Sequence, residues 1–221
     1  MGLHLNYELL LPGSYAAEQV TAVLANLRAF AARVPFERIS QLYSRPTDSL
    51  RRLAKVLASA YKDENPDLIA DIDTVQGFSV QPGRGCETAV LAFVRRWDHG
   101  GHSHDWFWHW SCKTQYASVF GDRHLVACHT ALVGLLDPAR SAGVRVEVRD
   151  ETHYWETRDE GVLIAEVDAM NRIVARIAGN ISDVAPPHVD VHAPIFRHDQ
   201  FEHLEMNDVD EPERTQSVTA G

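Results

Sequence analysis

Residues 97–118 read WDHGGHSHDWFWHWSCKTQYAS, and the interpretation of this stretch decides the fold. It holds four of the twelve histidines (His99, His102, His104 and His109), four of the five tryptophans (Trp97, Trp106, Trp108 and Trp110) and Lys113. The first half, Asp98 to Asp105, is loosened by glycine and reads as a solvated loop tip. The second half carries aromatics at 106, 107, 108 and 110, too much apolar area for a tip, so it is expected to be pinned against the core. On this reading the stretch is a loop and an anchor lying between a strand and a helix.

Just before it, Thr74–Val80 (TVQGFSV) and Glu87–Arg95 (ETAVLAFVR) flank the Gly- and Pro-rich turn QPGRGC and form a hairpin. After it, Asp122 caps a helix whose apolar stripe is Leu125, Cys128, His129, Leu132, Leu135 and Leu136, and Gly143 stops that helix. Val144, Val146 and Val148 then alternate with Arg145, Glu147 and Arg149, the pattern of a half-buried strand. Thr157 and Glu160 form a capping box for a long last helix with Leu163, Val167, Met170, Val174, Ile177 and Ile181 on its stripe. From Pro186 the chain is too often interrupted by Pro and His for a helix and is expected to run over the surface.

Toward the N-terminus, Leu3, Leu5, Tyr7, Leu9 and Leu11 alternate with His4, Asn6 and Glu8 in a strand, broken by Pro12-Gly13. Ser14 is the expected N-cap of a helix with Val20, Val23, Leu24, Leu27, Phe30 and Val34 at helical spacing. FERISQLY at 36–43 is a short strand or an extended connector, and Leu50, Leu53, Leu57, Ala60 and Tyr61 mark a second amphipathic helix.

With 36–71 set aside as a helical insertion, the order is strand, helix, two strands, helix, strand, then an extra C-terminal helix. That is the ferredoxin-like βαββαβ pattern of an α+β fold, an antiparallel sheet with helices on one face. The other face, with His4, Asn6, Glu8, Arg145 and Glu147, is then free to bind something or to be covered by the insertion. Residues 1–205 are expected to form a single domain, followed by a disordered acidic tail, 206–221.

Of the 221 residues, 31 are acidic and 21 basic, a formal charge of −10 that removes the usual electrostatic driving term for nucleic acid. No apolar run is long enough to span a bilayer, and no signal peptide or myristoylation pattern is present at the N-terminus. Cys86, Cys112 and Cys128 form an odd set with no CxxC spacing, as expected of reduced thiols in a cytoplasmic protein.

Three chemistries compete for the opening stretch. His99, His102 and His104 meet the minimum for a zinc-like site, against the plainer reading of histidines facing water. Lys113 and Gln115, aimed by the aromatics, could hold an anionic group, or Lys113 could reach solvent and Gln115 bond to backbone. His129, alone in an apolar stripe, is either a satisfied core residue or, with Lys113 and Glu151, an acid–base cluster. The favoured expectation is a site for a polar or anionic small molecule, with Lys113, His129 and Glu151 as candidate catalytic groups and Trp108, Trp110, Gln115, Tyr116 and Arg158 as candidate binding groups. The alternative is a non-enzymatic interaction module that meets a protein partner through the Trp-rich segment or an acidic surface. Neither reading fixes an oligomeric state.

The runs SCKTQYAS (111–118), CH (128–129), DETHYWETRD (150–159) and FEHLE (201–205) resemble a family of bacterial proteins to which no activity is assigned. The resemblance spans most of 73–205 and implies a bacterial, cytosolic context and no mechanism. No Walker A loop, dinucleotide fingerprint, GxSxG elbow, HExxH or paired CxxC is present.

Overall fold

The first strand, β1 (His4–Leu11), shows the logic of the sheet. Leu5, Tyr7, Leu9 and Leu11 are buried, while His4, Asn6, Glu8 and Leu10 between them are half-exposed. In a pleated strand these two sets face opposite sides, so β1 has one core face and one partly open face. The computed structural model describes residues 3–44, 52, 68–98, 103–186 and 188–206. It divides into two compact units, Met1–Met170 and Asn171–Gly221.

The first unit is built on a six-stranded sheet of order β2-β3-β4-β5-β1-β6, in which every neighbouring pair is antiparallel. Its other strands are β2 (Arg38–Ile39), β3 (Leu68–Gln81), β4 (Ala89–Asp98), β5 (Ser103–Lys113) and β6 (Arg145–Asp150). The α+β class and the four anticipated strands are therefore present. The ferredoxin-like strand order is not. That order would set β1 beside β4, the second strand of the hairpin, whereas here β5 lies between them. β5 is most of the stretch read above as a loop and an anchor. Its second half alternates strictly: Trp106, Trp108, Trp110 and Cys112 pair with the core-facing residues of β1, and Phe107, His109, Ser111 and Lys113 pair with the other set. The count of aromatics conceals this period of two, because Phe107 and His109 sit between the indoles.

Two helices, α1 (Ala17–Ala31) and α2 (Asp122–Ser141), supply the apolar partners of the core face. α1 buries Val20, Leu24, Leu27 and Ala31, and its first turn is closed by Gln19, whose Oε1 accepts from the Ala16 N–H at 2.8 Å. Ser14 does not have the capping position expected of it. α2 buries the whole anticipated stripe together with Val133 and Ala139. The indole N–H groups of the three β5 tryptophans all end on backbone carbonyls: Trp106 on Tyr15 (3.0 Å), Trp108 on Val90 (2.9 Å) and Trp110 on Thr88 (3.0 Å). A buried indole leaves its one donor satisfied in this way.

After β6 come a single turn, α3 (Tyr154–Thr157), and the long helix α4 (Glu160–Val184). The expected Thr157/Glu160 capping box is replaced by Asp159, whose Oδ1 accepts from Gly161 N (2.7 Å) and Val162 N (3.4 Å). Arg158 at φ 55° makes the change of direction between α3 and α4. Leu163 and Val167 join Leu3, Ala117, Leu125 and Cys128 in a second apolar cluster of this unit.

The second unit has its own small core of Ala175, Ala178, Ile195 and Leu204. The Pro/His-rich segment expected to be irregular contains a 3-10 turn at Pro194–Arg197 and a short helix, α5 (Phe201–Met206). Pro194 opens that turn, where its missing N–H costs nothing. Most of the expected insertion, His99, His102 and the acidic tail after Met206 lie outside the described residues. Among the described residues no helix is long and apolar enough to cross a membrane.

Candidate functional site

The residues of β5, β1 and β6 that point away from the two helices form three cross-strand rows. His109 faces Glu8, which faces Glu147; Ser111 faces Asn6, which faces Arg149. In the third row Lys113 faces His4, and His4 meets Glu151 just past the end of β6: its backbone N–H donates to Glu151 Oε2 at 2.9 Å, and its ring Nδ1 lies 3.4 Å from the same oxygen. These rows floor a depression of about 540 Å³ lined by His4, Asn6, Glu8, His109, Ser111, Glu147, Arg149 and Glu151, with Tyr7 and Val148. Farther along the same face Val75, Val90, Ala92, Val94 and Phe107 are buried. The second face therefore has a covered apolar part and an open polar part.

Charge in the open part is unbalanced. Three carboxylates, Glu8, Glu147 and Glu151, stand against the single guanidinium of Arg149 among the lining side chains. Arg145 reaches Glu147 (3.2 Å) from outside the depression, and Arg149 lies 3.9 Å from Glu151. Among the described residues the side chains of Asn6, Glu8, His109 and Ser111 form no hydrogen bond or ion pair. Glu8 also sits directly opposite Glu147, an arrangement of like charges that weakens a sheet. These groups hold hydrogen-bonding capacity and charge that the fold does not use.

On the core face lies a constellation that looks catalytic in outline. Thr114 Oγ1 is 2.8 Å from His129 Nδ1, and His129 Nε2 is 3.0 Å from Asp150 Oδ2. Thr152 adds its hydroxyl 3.2 Å from Nε2, and the Tyr154 ring stands edge-on to the imidazole. Asp150 also accepts from Thr152 N (2.9 Å), Thr152 Oγ1 (2.7 Å) and Trp155 N (2.9 Å). Burial pushes the Asp150 carboxyl up, but the hydrogen bond and charge interaction with His129 and the bonds from Thr152 outweigh it and hold the carboxyl below its ordinary value. His129 is completely buried, Thr114, Asp150 and Thr152 nearly so, and none of the four lines a described cavity. A hydroxyl that no substrate can reach is not a nucleophile, so this network ties the end of β5, α2 and the end of β6 together.

The expected cluster of Lys113, His129 and Glu151 is thus divided by the sheet. Lys113 and Glu151 share the open face, both beside His4, and His129 lies in the core on the other side. The binding groups expected with them are also dispersed. Trp108 is fully buried, and Trp110, half-buried, stacks on it at 5.9 Å. Gln115 Oε1 accepts from Leu3 N at 2.9 Å, Tyr116 lies half-buried in the 3-10 turn Gln115–Phe120, and Arg158 forks onto Asp137 (3.0 and 3.1 Å) over the Trp155 ring. Of the expected metal ligands, only His104 falls in a described element, β5. Among the described residues no group of three or more His, Cys, Asp or Glu is placed to hold a metal ion.

Sequence reasoning put Asn6, Glu8 and Glu147 on a face free to bind something or to be covered, and it missed His109, Ser111 and Arg149, which share that face. Their signal was the alternation in LHLNYELLL and VRVEVR, which marks a polar face, together with the unrecognised alternation of β5. Compared with known proteins, the chain matches no family model, and no curated protein or solved structure shows significant similarity to it. The resemblance noted for SCKTQYAS and DETHYWETRD therefore has no support from these comparisons.

Proposed function

We propose that this protein is a non-enzymatic binding module whose open sheet face receives a cationic segment of a protein partner. The observation that carries the reading is the row His109–Glu8–Glu147 with Asn6 and Ser111 beside it: apart from Glu147, which Arg145 reaches, these side chains form no hydrogen bond or ion pair among the described residues, and they stand in a wide depression dominated by carboxylates. Acidic groups placed this way favour lysine or arginine side chains, and the overall charge of −10 steers a basic partner toward the protein from a distance. The tryptophans do not serve as interface anchors in this reading, because their rings and N–H groups are already engaged in the core.

The test is comparative co-purification of wild type, the double variant Glu8→Arg/Glu147→Arg, and a control variant, Glu18→Arg, at an exposed position of α1. A basic partner retained by wild type and control but lost by the double variant supports the proposal. Equal recovery with all three sinks it.

The volume of the depression, about 540 Å³, also suits a small molecule, and the excess of carboxylates selects a cationic ligand such as a polyamine over an anionic one. A thermal shift with polyamines that the double variant abolishes, with no protein partner found, would favour this second reading.

A further inference from the structure

The long helix α4 is apolar on two sides. Ala175 and Ala178 lie in the core of the second unit with Ile195 and Leu204. On a different face of the helix, Ile173, Ile177, Ile181 and Val184 follow one another at spacings of four, four and three residues, which aligns them in one row. All four are exposed, at 48%, 37%, 50% and 81%. Ile177 and Ile181 belong to the stripe that the sequence marks as the helix's apolar side, yet the structure leaves both in solvent. Apolar side chains scattered singly over a surface need no explanation, whereas a row of four along one helix is a contact surface without its partner.

The charges beside the row select what fits it. Arg176 and Asp183 each stand one position before a residue of the row and are two helical turns apart, so they lie on the same flank. Neither side chain forms a hydrogen bond or ion pair among the described residues, and Arg176 Nη2 is buried with no hydrogen-bond partner. Asp183 is in the last turn of α4, where the helix dipole disfavours a negative charge and no basic residue of that turn offsets it.

When two copies of a helix pack antiparallel about a two-fold axis, each flank meets the same flank of the other copy, running in reverse. Setting Ile177 opposite Ile181 of the second copy brings Ile173 opposite Val184 and Arg176 opposite Asp183, each to within one residue. The two-fold axis repeats every one of these contacts, so two opposite-charge pairs frame one apolar seam. Parallel packing would instead set each flank against the opposite one and bring no Arg176–Asp183 pair together.

We infer that α4 is a self-association surface: a second copy of this chain packs antiparallel on Ile173, Ile177, Ile181 and Val184, and the Arg176–Asp183 pairs fix direction and register. The row spans about 17 Å of helix at ~1.5 Å per residue. A contact of that length stays below the ~1,200 Å² at which standard stable interfaces begin, so the dimer dissociates in the micromolar range.

The experiment is sedimentation equilibrium of the full chain over about 1–500 µM. Wild type is expected to pass from monomer to dimer across that range. Ile177→Glu, at an exposed position, sets a carboxylate in the centre of the seam and should keep the protein monomeric with unchanged far-UV circular dichroism. Arg176→Asp and Asp183→Arg should each weaken association several-fold by setting like charges opposite one another. The double variant Arg176→Asp/Asp183→Arg restores opposite charges and should return the Kd close to that of wild type. A wild type that is monomeric at every concentration, a dimer that Ile177→Glu leaves intact, or a double variant that associates no more tightly than the single ones would overturn the inference.

Discussion

Replacing Asp150 with asparagine tests whether the sealed network holds the first unit together. The carboxylate receives two donors on each oxygen: His129 Nε2 and Trp155 N on Oδ2, Thr152 N and Oγ1 on Oδ1. An amide has one accepting oxygen, so whichever way it turns, its NH2 group confronts a backbone N–H that cannot move away. One orphaned backbone donor costs about 1–3 kcal/mol, and loss of a charge-assisted bond from His129 a further ~1.5–3 kcal/mol. The sum, about 2.5–6 kcal/mol, is centred on the cost of breaking a buried pair by removing one partner, about 3–5 kcal/mol. For a chain of this size the latter corresponds to a fall in melting temperature of about 6–20 °C. All five tryptophans lie within Met1–Met170, so intrinsic fluorescence reads this unit directly. The pH dependence has a definite sign. Because the folded carboxyl is held below its unfolded value of about 3.9, it stabilises the fold at every pH above that value, and the contribution is lost as pH falls through the lowered folded value. The gap between wild type and Asp150→Asn should be constant from pH 7 to about 5 and narrow below about 4. A variant melting within about 1 °C of wild type at pH 7, or a gap that widens in acid, would refute the reasoning.

Three further outcomes follow from burial and backbone geometry. Trp108→Ala, at a fully buried position with its N–H on Val90 O, should cost about 3–5 kcal/mol in urea denaturation, and Trp110→Ala, half-buried on the same face, roughly half as much; equal costs would contradict the difference in burial between the two indoles. Glu8→Gln removes the like-charge opposition to Glu147 and should raise stability by about 0.2–1 kcal/mol at low salt, with the gain shrinking at high salt, while weakening retention of a basic partner. His153→Asn, at φ 58° on an exposed position, should be neutral or stabilising by up to about 1 kcal/mol, since asparagine tolerates the left-handed region that histidine occupies at a cost. A loss of more than that would mean the imidazole makes a contact of its own.

The parts of the fold legible in the sequence are those where one period dominates. β1 and β6 were readable because leucine or valine alternates with polar residues, and α2 because its stripe repeats at helical spacing. β5 was not, because both of its faces carry aromatics or histidine: Phe107 interrupts the run of indoles, and Trp110 stands beside His109, so composition masked the alternation. Misreading that one strand changed the strand order of the whole sheet. The same misreading scattered the expected site. Lys113 and His129 are on opposite faces because Lys113 has the odd parity of β5, whereas Asp150, His129's partner, pairs with core-facing Leu5. Side-chain parity in a strand decides which groups can meet, and no count of nearby residues replaces it.

Under the proposed function, fold and binding divide between the two faces of β5. The indole face is fully employed, with ring area in the core and every N–H on a carbonyl, so little there could be given to a partner without cost to stability. The opposite face keeps groups that the fold would do better without. β1 is central and paired on both sides, so its register fixes Glu8 between His109 and Glu147 with no freedom to slide. Adjacent strands stand about 4.8 Å apart, which sets the two carboxylates at a spacing suited to straddle one ammonium or guanidinium group. A sequence selected for stability alone would place a lysine or threonine opposite Glu147. A second glutamate there, with Asn6, His109 and Ser111 forming no side-chain hydrogen bond among the described residues, is a local inconsistency that supports the recognition site proposed above.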